Sequence, residues 1–268
     1  RGPMELAHFS LEPLGRAAVA IGLSANAITL VSLLLGLGAG VAIASRDAQG
    51  IAGAARELDA LSRTGVTGTA CDVRDAAALA AWVDATVQHF GRLDGVVTNA
   101  GGPPPGGFDA FDDHAWQAAY ELTLLSAVRL VRLALPHLRV RGGSILMLTS
   151  LTVREPAEQL LLSSVMRSGV AALAKSLSRE LAVDGIRVNN LVPGLIATDR
   201  MQQLDAFQAQ GSGVDALEVR RQRERSIPLG RYGATEEFGR AGAFLLSPAA
   251  SYISGATLVV DGASMRAL

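Results

Sequence analysis

A single cysteine in 268 residues, Cys71, excludes an internal disulfide and any cysteine-rich metal centre, and it fits a reducing, cytoplasmic compartment. It lies in an apolar strand pattern next to Asp72 rather than beside a base, which makes it a poor nucleophile. Histidine is equally scarce. His8, His89, His114 and His137 are scattered without ligand spacing, so no metal site is expected. The formal charge is −1 and the Lys and Arg residues are dispersed, so no electrostatic field gathers nucleic acid or an anionic membrane surface. A small-molecule partner is expected instead. No short apolar core with a small-residue cleavage site opens the chain, so no secretory signal is expected.

Charge is missing altogether from residues 17–45, a run of 29 residues. Its length exceeds the roughly 20 apolar residues that cross a bilayer, which would make it the anchor of a membrane-tethered interaction protein. A soluble reading accounts for more of its pattern. Residues 17–21 form a buried strand, 24–38 a helix and 41–44 a second strand, with Gly22, Gly36, Gly38 and Gly40 where turns belong. A buried strand–helix–strand unit is apolar throughout, and no membrane partner is expected.

The remaining chain alternates helix and strand. Helical pattern covers 47–62, 75–90 with Asp75 as cap, 116–139 as one long helix, 164–182 and 235–246. Strand pattern covers 66–71, 95–98, 144–149, 186–191 and 256–260. This alternation predicts an α/β fold, a doubly wound parallel sheet in a Rossmann-like three-layer sandwich, with ligands at the carboxyl ends of the strands. One domain spans residues 15–268 after an N-terminal extension, 1–14. Residues 199–226 interrupt the rhythm, polar and rich in Gln and Arg. They are read either as a lid over substrate or as an exposed helical excursion.

Ser150 is followed after twelve residues by Ser163 and after three more by Arg167. That frame resembles the Ser, Tyr-x-x-x-Lys active site of the short-chain dehydrogenase/reductase family, with Ser163 in the Tyr place and Arg167 in the Lys place. Other motifs agree in order from Val41 to Gly262, nearest to the 3-oxoacyl carrier-protein reductase-like branch. Asp72-Val73 matches the pair that meets the adenine ring, and Asn99-Ala100-Gly101 the family's Asn-Ala-Gly. Pro193-Gly194 with Thr198 matches the segment that holds the nicotinamide carboxamide. Pro228-Leu229-Gly230-Arg231 and Val260-Asp261-Gly262 resemble the family's closing region.

The departures bear on chemistry. Of the family's glycine turn after the first strand, Gly22 fits the first glycine, Asn26 falls at the second and Ile28 at the third; Gly22, Ser24 and Asn26 are the residues left to meet a pyrophosphate. Asn tolerates the left-handed conformation, whereas a β-branched Ile crowds a close approach. Residues 14–44 also faintly resemble the first membrane segment of CDP-alcohol phosphotransferases, but their aspartate motif is absent. At the end of the second strand, Ser45-Arg46 offers a hydroxyl and a guanidinium suited to a 2′-phosphate, which predicts NADP over NAD.

The resemblance implies that the Tyr moves the proton, the Lys lowers its pKa, the Ser polarises the carbonyl and an upstream Asn supports a water relay. Ser150 keeps the Ser place, while Thr123 fills the Asn place. A serine hydroxyl is a far weaker acid than a phenol, and a permanent guanidinium cation cannot relay a proton. Tyr120, one helical turn before Thr123, stands as an alternative proton donor, or as a packed helix tyrosine. Ser163 and Arg167 also admit a structural reading, as a helix-start hydroxyl and a dimer-interface arginine. Ser150, Ser163 and Arg167 are the candidate catalytic residues of an NADP(H)-linked carbonyl/alcohol oxidoreductase with an atypical site. The family resemblance further implies a homo-oligomer, dimer or tetramer. The alternative function is a catalytically inactive member that binds a nucleotide or small ligand.

Overall fold

The computed structural model describes residues 18–22 and 38–267. Ser24, Asn26, Ile28, the helix expected over 24–38 and the 1–14 extension lie outside them. Seven strands form one parallel sheet in the order β3-β2-β1-β4-β5-β6-β7. They are β1 (Ala18–Gly22), β2 (Gly40–Ser45), β3 (Val66–Ala70), β4 (Gly95–Thr98), β5 (Gly143–Leu148), β6 (Ile186–Pro193) and β7 (Thr257–Val260). The two ends of the charge-free run are thus adjacent strands, β1 pairing with β2 from Ala18↔Gly40 to Gly22↔Ala44. Among the described residues no helix is long and apolar enough to cross a membrane.

Strand side chains alternate between the two faces, and both faces are apolar. Val41 and Ile43, Val97, and Leu146 and Leu148 join one core with Ile51, Leu58, Phe238 and Leu245. Ala42 and Ala44, Val96, and Ile145 and Met147 join a second core with Leu79, Trp82, Leu130, Val131 and Val170. Helices α1 (Ala48–Asp59) and α8 (Thr235–Leu246) therefore cover one face. Helices α2 (Ala76–Phe90), α4 (Ser126–Leu138) and α5 (Leu161–Glu180) cover the other. This two-sided burial makes the sheet doubly wound. On the first face, a Cβ on Gly68 would stand 2.8 Å from the Ile51 carbonyl oxygen, so a bare glycine lets α1 lie close on β3.

Helix starts follow the aspartates. Asp75 Oδ1 accepts from the amides of Ala77 and Ala78 at 2.8 and 3.1 Å, and Asp47 Oδ1 from those of Gln49 and Gly50. Gly91, at φ 73°, ends α2 in the left-handed conformation. The expected long helix 116–139 differs: α3 (Asp113–Ala119) begins earlier, capped by Asp112, and passes through a π-helical segment, Tyr120–Leu125, before α4. The π segment bonds i to i+5, so each residue turns the helix less than in α geometry. This separates Tyr120, which is 37% exposed, from Thr123, which is 4% exposed, and the two do not share a face as α-helical spacing predicts.

Residues 199–226 form a helical hairpin, α6 (Asp199–Ser212) and α7 (Ala216–Ser226). Its base is closed by a parallel bridge of Ile196 with Gly233, with Ala197 and Gly233 amides donating to Gly233 and Leu195 carbonyls at 2.9 Å. Buried Asp205 on α6 is ion-paired to Arg223 on α7 and accepts the Tyr232 hydroxyl at 3.1 Å. The polar composition of the hairpin thus contains its own buried anchor.

Two arginines tie down the two ends of α8. Arg187 on β6 donates to the carbonyls of Leu245, Leu246 and Ser247 at 2.7 to 3.2 Å, satisfying the C-terminus of α8 from below. At the other end of α8, Glu237 accepts the Ala234 amide at 2.7 Å and holds Arg231 in a two-pronged pair. The Arg231 hydrogen bond, then the Ala234 amide, pull the Glu237 carboxyl down to about 2 from an ordinary 4.5. A carboxyl depressed by folding stabilises above its unfolded value and loses that contribution as pH falls through the folded one. Glu237→Gln is therefore expected to be less stable than the parent at pH 6, with the difference shrinking between pH 4.5 and about 2, as measured by urea unfolding.

Candidate active site

The strand order reverses direction about β1, with β2 and β3 on one side and β4 to β7 on the other. At such a switch the loops leaving neighbouring strands part and open a crevice at their carboxyl ends. A small cleft open to solvent lies past the carboxyl ends of β3, β4 and β5, lined by Val73, Asn99, Ala100, Thr123, Leu148 and Arg167, among others. Five of these are residues that the sequence motifs single out: Val73, Asn99, Ala100, Thr123 and Arg167.

Arg167 lies in α5, one helical turn after Ser163, so both face the same way. Its Nε donates to Ser163 Oγ at 3.2 Å. Nη1 donates to the Leu148 carbonyl at 3.3 Å and reaches the Thr149 carbonyl at 3.5 Å, and Nη2 donates to the Ala100 carbonyl at 3.3 Å. One guanidinium thus spans the chain just past β4 and the end of β5. The expectation of a dimer-interface arginine does not fit this geometry, because the side chain turns inward onto the sheet. Ser163 sits in the first turn of α5, where Leu160 supplies no side-chain cap.

Ser150 stands two residues past β5, half-buried, and its Oγ accepts the Thr152 amide at 3.3 Å, opening a short 3₁₀ turn (Leu151–Val153). The loop that follows is tied to the proline-rich loop by the Gly106↔Leu160 bridge and by the Gly106 amide donating to the Gln159 carbonyl at 2.7 Å. Gln159 adopts φ 60°, a conformation L-residues seldom take. Glu155 in the same loop accepts the amides of Arg266 and Ala267, both at 2.6 Å, and so draws the C-terminal segment onto it.

The other expected residues also gather at strand ends. Gly22 is the last residue of β1, and Ser45 ends β2 with its Oγ accepting the Asp47 amide at 3.3 Å and Arg46 exposed beside it. Asp72 follows β3, its carboxyl held below the usual range chiefly by a hydrogen bond from Arg74. Gly101 is exposed next to Ala100. Pro193 ends β6, and Gly194 donates its amide to the Val260 carbonyl at 2.9 Å; a Cβ there would meet Asp261 Cα at 2.5 Å. Thr198 is buried and caps α6, its Oγ1 accepting the Met201 amide at 3.3 Å.

Three features lie beyond the motifs, although Thr123 itself fills the Asn place. Thr98 and Thr123 both line the cleft, are at least 95% buried, and their Oγ1 atoms have no hydrogen-bond partner among the described residues. Asn190 accepts the Thr149 hydroxyl at 2.8 Å from the neighbouring strand, fixing the residue before Ser150. Arg74, two residues beyond Asp72, clamps its carboxylate, a spacing that was visible but carries no motif. Cys71 is buried, and burial with the nearby Asp72 and Asp75 charges pushes its thiol up, so it is protonated and inert. Among the described residues no cluster of three or more His, Cys, Asp or Glu could hold a metal ion.

The family model described as enoyl-(acyl carrier protein) reductase matches residues 26–263, and the chain belongs to the short-chain dehydrogenase/reductase family. It is 34% identical over 226 residues to L-fucose dehydrogenase from Oryctolagus cuniculus, covering 84% of this chain and 76% of that one. It superimposes with a TM-score of 0.91 on L-sorbose reductase from Gluconobacter frateurii, solved with NADPH and L-sorbose, at 27% identity over 96% of this chain and 99% of that one. A short-chain oxidoreductase from Pseudomonas aeruginosa PAO1 with an atypical catalytic centre gives a TM-score of 0.85 at 31% identity, over 94% of this chain and 98% of that one, and is known with NADPH bound.

A lysine ammonium is a single point donor, whereas the Arg167 fork reaches carbonyls on both sides of the cleft. Arg167→Lys is therefore expected to lower unfolding stability by about 1–2 kcal/mol, because the carbonyl of Ala100 or that of Leu148 loses its donor. Equal urea midpoints for the two proteins would contradict this.

Proposed function

We propose that the chain is an NADP-linked oxidoreductase that interconverts a carbonyl and an alcohol, with Ser163, backed by Arg167, as the group that exchanges the proton. The observation that carries this reading is the 3.2 Å hydrogen bond from Arg167 Nε to Ser163 Oγ beside a strand-end cleft.

The residues present fit a dinucleotide. Gly22, Ser45, Asp72, Asn99, Ala100 and Gly194 stand at or just past the ends of β1, β2, β3, β4 and β6, where such ligands lie in doubly wound sheets. In this reading Gly22, Ser24 and Asn26 meet the pyrophosphate and Ser45 and Arg46 the 2′-phosphate. Asp72 and Val73 meet the adenine, Asn99 to Gly101 the adjoining ribose, and Pro193, Gly194 and Thr198 the carboxamide. When bound, NADPH supplies a hydride to a carbonyl carbon.

The chain's own residues handle the charge and the proton. Because Arg167, which lines the cleft, donates to Ser163 Oγ, the hydroxyl's own hydrogen remains for another acceptor. An alkoxide forming from a ketone is about as basic as a serine alkoxide, so proton transfer from Ser163 to it is close to thermoneutral. The guanidinium beside Oγ stabilises the negative charge left behind, and water returns the proton. Ser150 polarises the carbonyl. Asn190 holds Thr149, so the strand end that carries Ser150 keeps its place.

The hairpin α6–α7, with its closed base, serves as the lid over substrate. Residues 15–268 act as one catalytic domain. The same reading makes the chain a cytoplasmic homo-oligomer, dimer or tetramer, as its family membership implies.

Turnover of NADPH with a panel of ketones and ketoses, L-sorbose included, tests the assignment. Ser163→Ala is expected to lower kcat by about 10²-fold while NADPH affinity holds. Equal rates for the variant and the parent would remove Ser163 from the reaction.

A further inference from the structure

Strands β2 and β3 end side by side. Ser45 pairs with Ala70, and the Cys71 amide donates to the Ser45 carbonyl at 2.9 Å. Arg46 and Asp72 therefore leave neighbouring strand ends, one an exposed cation and the other a half-exposed carboxylate. Two opposite charges on adjacent strand ends attract each other. A carboxylate beside Arg46 would also repel a phosphate dianion brought to the same place.

Arg74 changes that balance. Its Nε donates to Asp72 Oδ1 and Oδ2 at 3.1 and 3.2 Å, its Nη2 to Oδ2 at 2.6 Å, and its backbone amide to Oδ1 at 2.9 Å. Both carboxylate oxygens are thus directed at one residue, in the side-on geometry that suits a guanidinium. The backbone of the clamp is itself fixed. The Arg74 carbonyl accepts Arg129 Nη1 from α4 at 2.6 Å, and the Asp75 amide closes a turn onto the Asp72 carbonyl at 2.9 Å. Arg46 also draws the Asp72 carboxyl down, but less than Arg74 does.

We propose that Arg74 is a specificity-determining residue for a 2′-phosphorylated dinucleotide: by occupying both oxygens of Asp72 it neutralises the carboxylate at the end of β3 and leaves Arg46 to the 2′-phosphate. This rests on the NADP reading of the site and extends it to a residue outside the cofactor motifs. The unphosphorylated dinucleotide brings no charge to this place, so the clamp bears on the preference between the two and not on dinucleotide binding as such.

Calorimetric titration of the full chain with NADPH and with NADH reads the effect as a ratio of Kd values. Arg74→Ala is expected to shift that ratio against NADPH by about fivefold, the scale of one partly exposed charge pair. Asp72→Asn on its own is expected to leave the preference for NADPH intact or increase it. Combining it with Arg74→Ala is expected to restore the ratio, since no carboxylate then needs neutralising. Melting temperatures of the three variants check that each folds.

An unchanged ratio in Arg74→Ala overturns the proposal. A reduced ratio that Asp72→Asn fails to restore also overturns it, because Arg74 would then act on the phosphate directly. If the parent binds neither nucleotide, the NADP reading itself falls and this proposal falls with it.

Discussion

The site depends on one guanidinium. Where β4 and β5 end, their loops diverge, and the carbonyls of Ala100, Leu148 and Thr149 are left pointing into the gap between them. Arg167 crosses that gap with donors on both sides and still offers Nε to Ser163. Its position is fixed in turn by where α5 begins, and that start is set by the loop bridged to Gly106. The cleft wall, the serine hydroxyl and the strand ends are therefore one connected structure. A lysine at this position could serve ribose or hydroxyl, but it could not also link the two strand ends.

Charge is distributed locally rather than globally. The chain carries a formal charge of −1, yet the guanidinium groups of Arg46, Arg74 and Arg167 all stand at the carboxyl ends of strands, with Asp72 beside Arg74. Placing fixed cations where an anionic dinucleotide lies costs little in the absence of ligand when each cation already has acceptors. Arg74 has the Asp72 carboxylate and Arg167 has backbone carbonyls. The same economy appears away from the site, where Arg187 saturates the C-terminus of α8 and Arg223 neutralises buried Asp205. These arginines hold elements together by supplying donors to carbonyls and carboxylates that the helix and sheet ladders leave over.

Strands β2, β4 and β5 were legible in the sequence because they are buried on both faces and so almost wholly apolar. Gly95–Thr98 and Thr235–Leu246 have the expected bounds, and Asp75 caps the helix it precedes. The spacing from Ser150 to Ser163 to Arg167 was legible too, since it follows from one strand end and one helix turn. Other features were not. The π segment, Tyr120–Leu125, leaves no mark in hydrophobic periodicity, and it separates Tyr120 from the face of Thr123. The inward turn of Arg167, the clamp of Arg74 on Asp72 and the buried anchor of the hairpin are contacts between polar side chains. Polarity alone reads the same in a solvated arginine and in a paired one.

The central claim is that the proton exchanged with substrate belongs to Ser163 beside a permanent cation, and the pH dependence of single-turnover NADPH oxidation tests it most directly. Neither a serine hydroxyl nor a guanidinium titrates between roughly pH 6 and 9, so the rate should be flat across that range. A rate that falls through a distinct titration inside the range would assign the proton to another group and contradict the account.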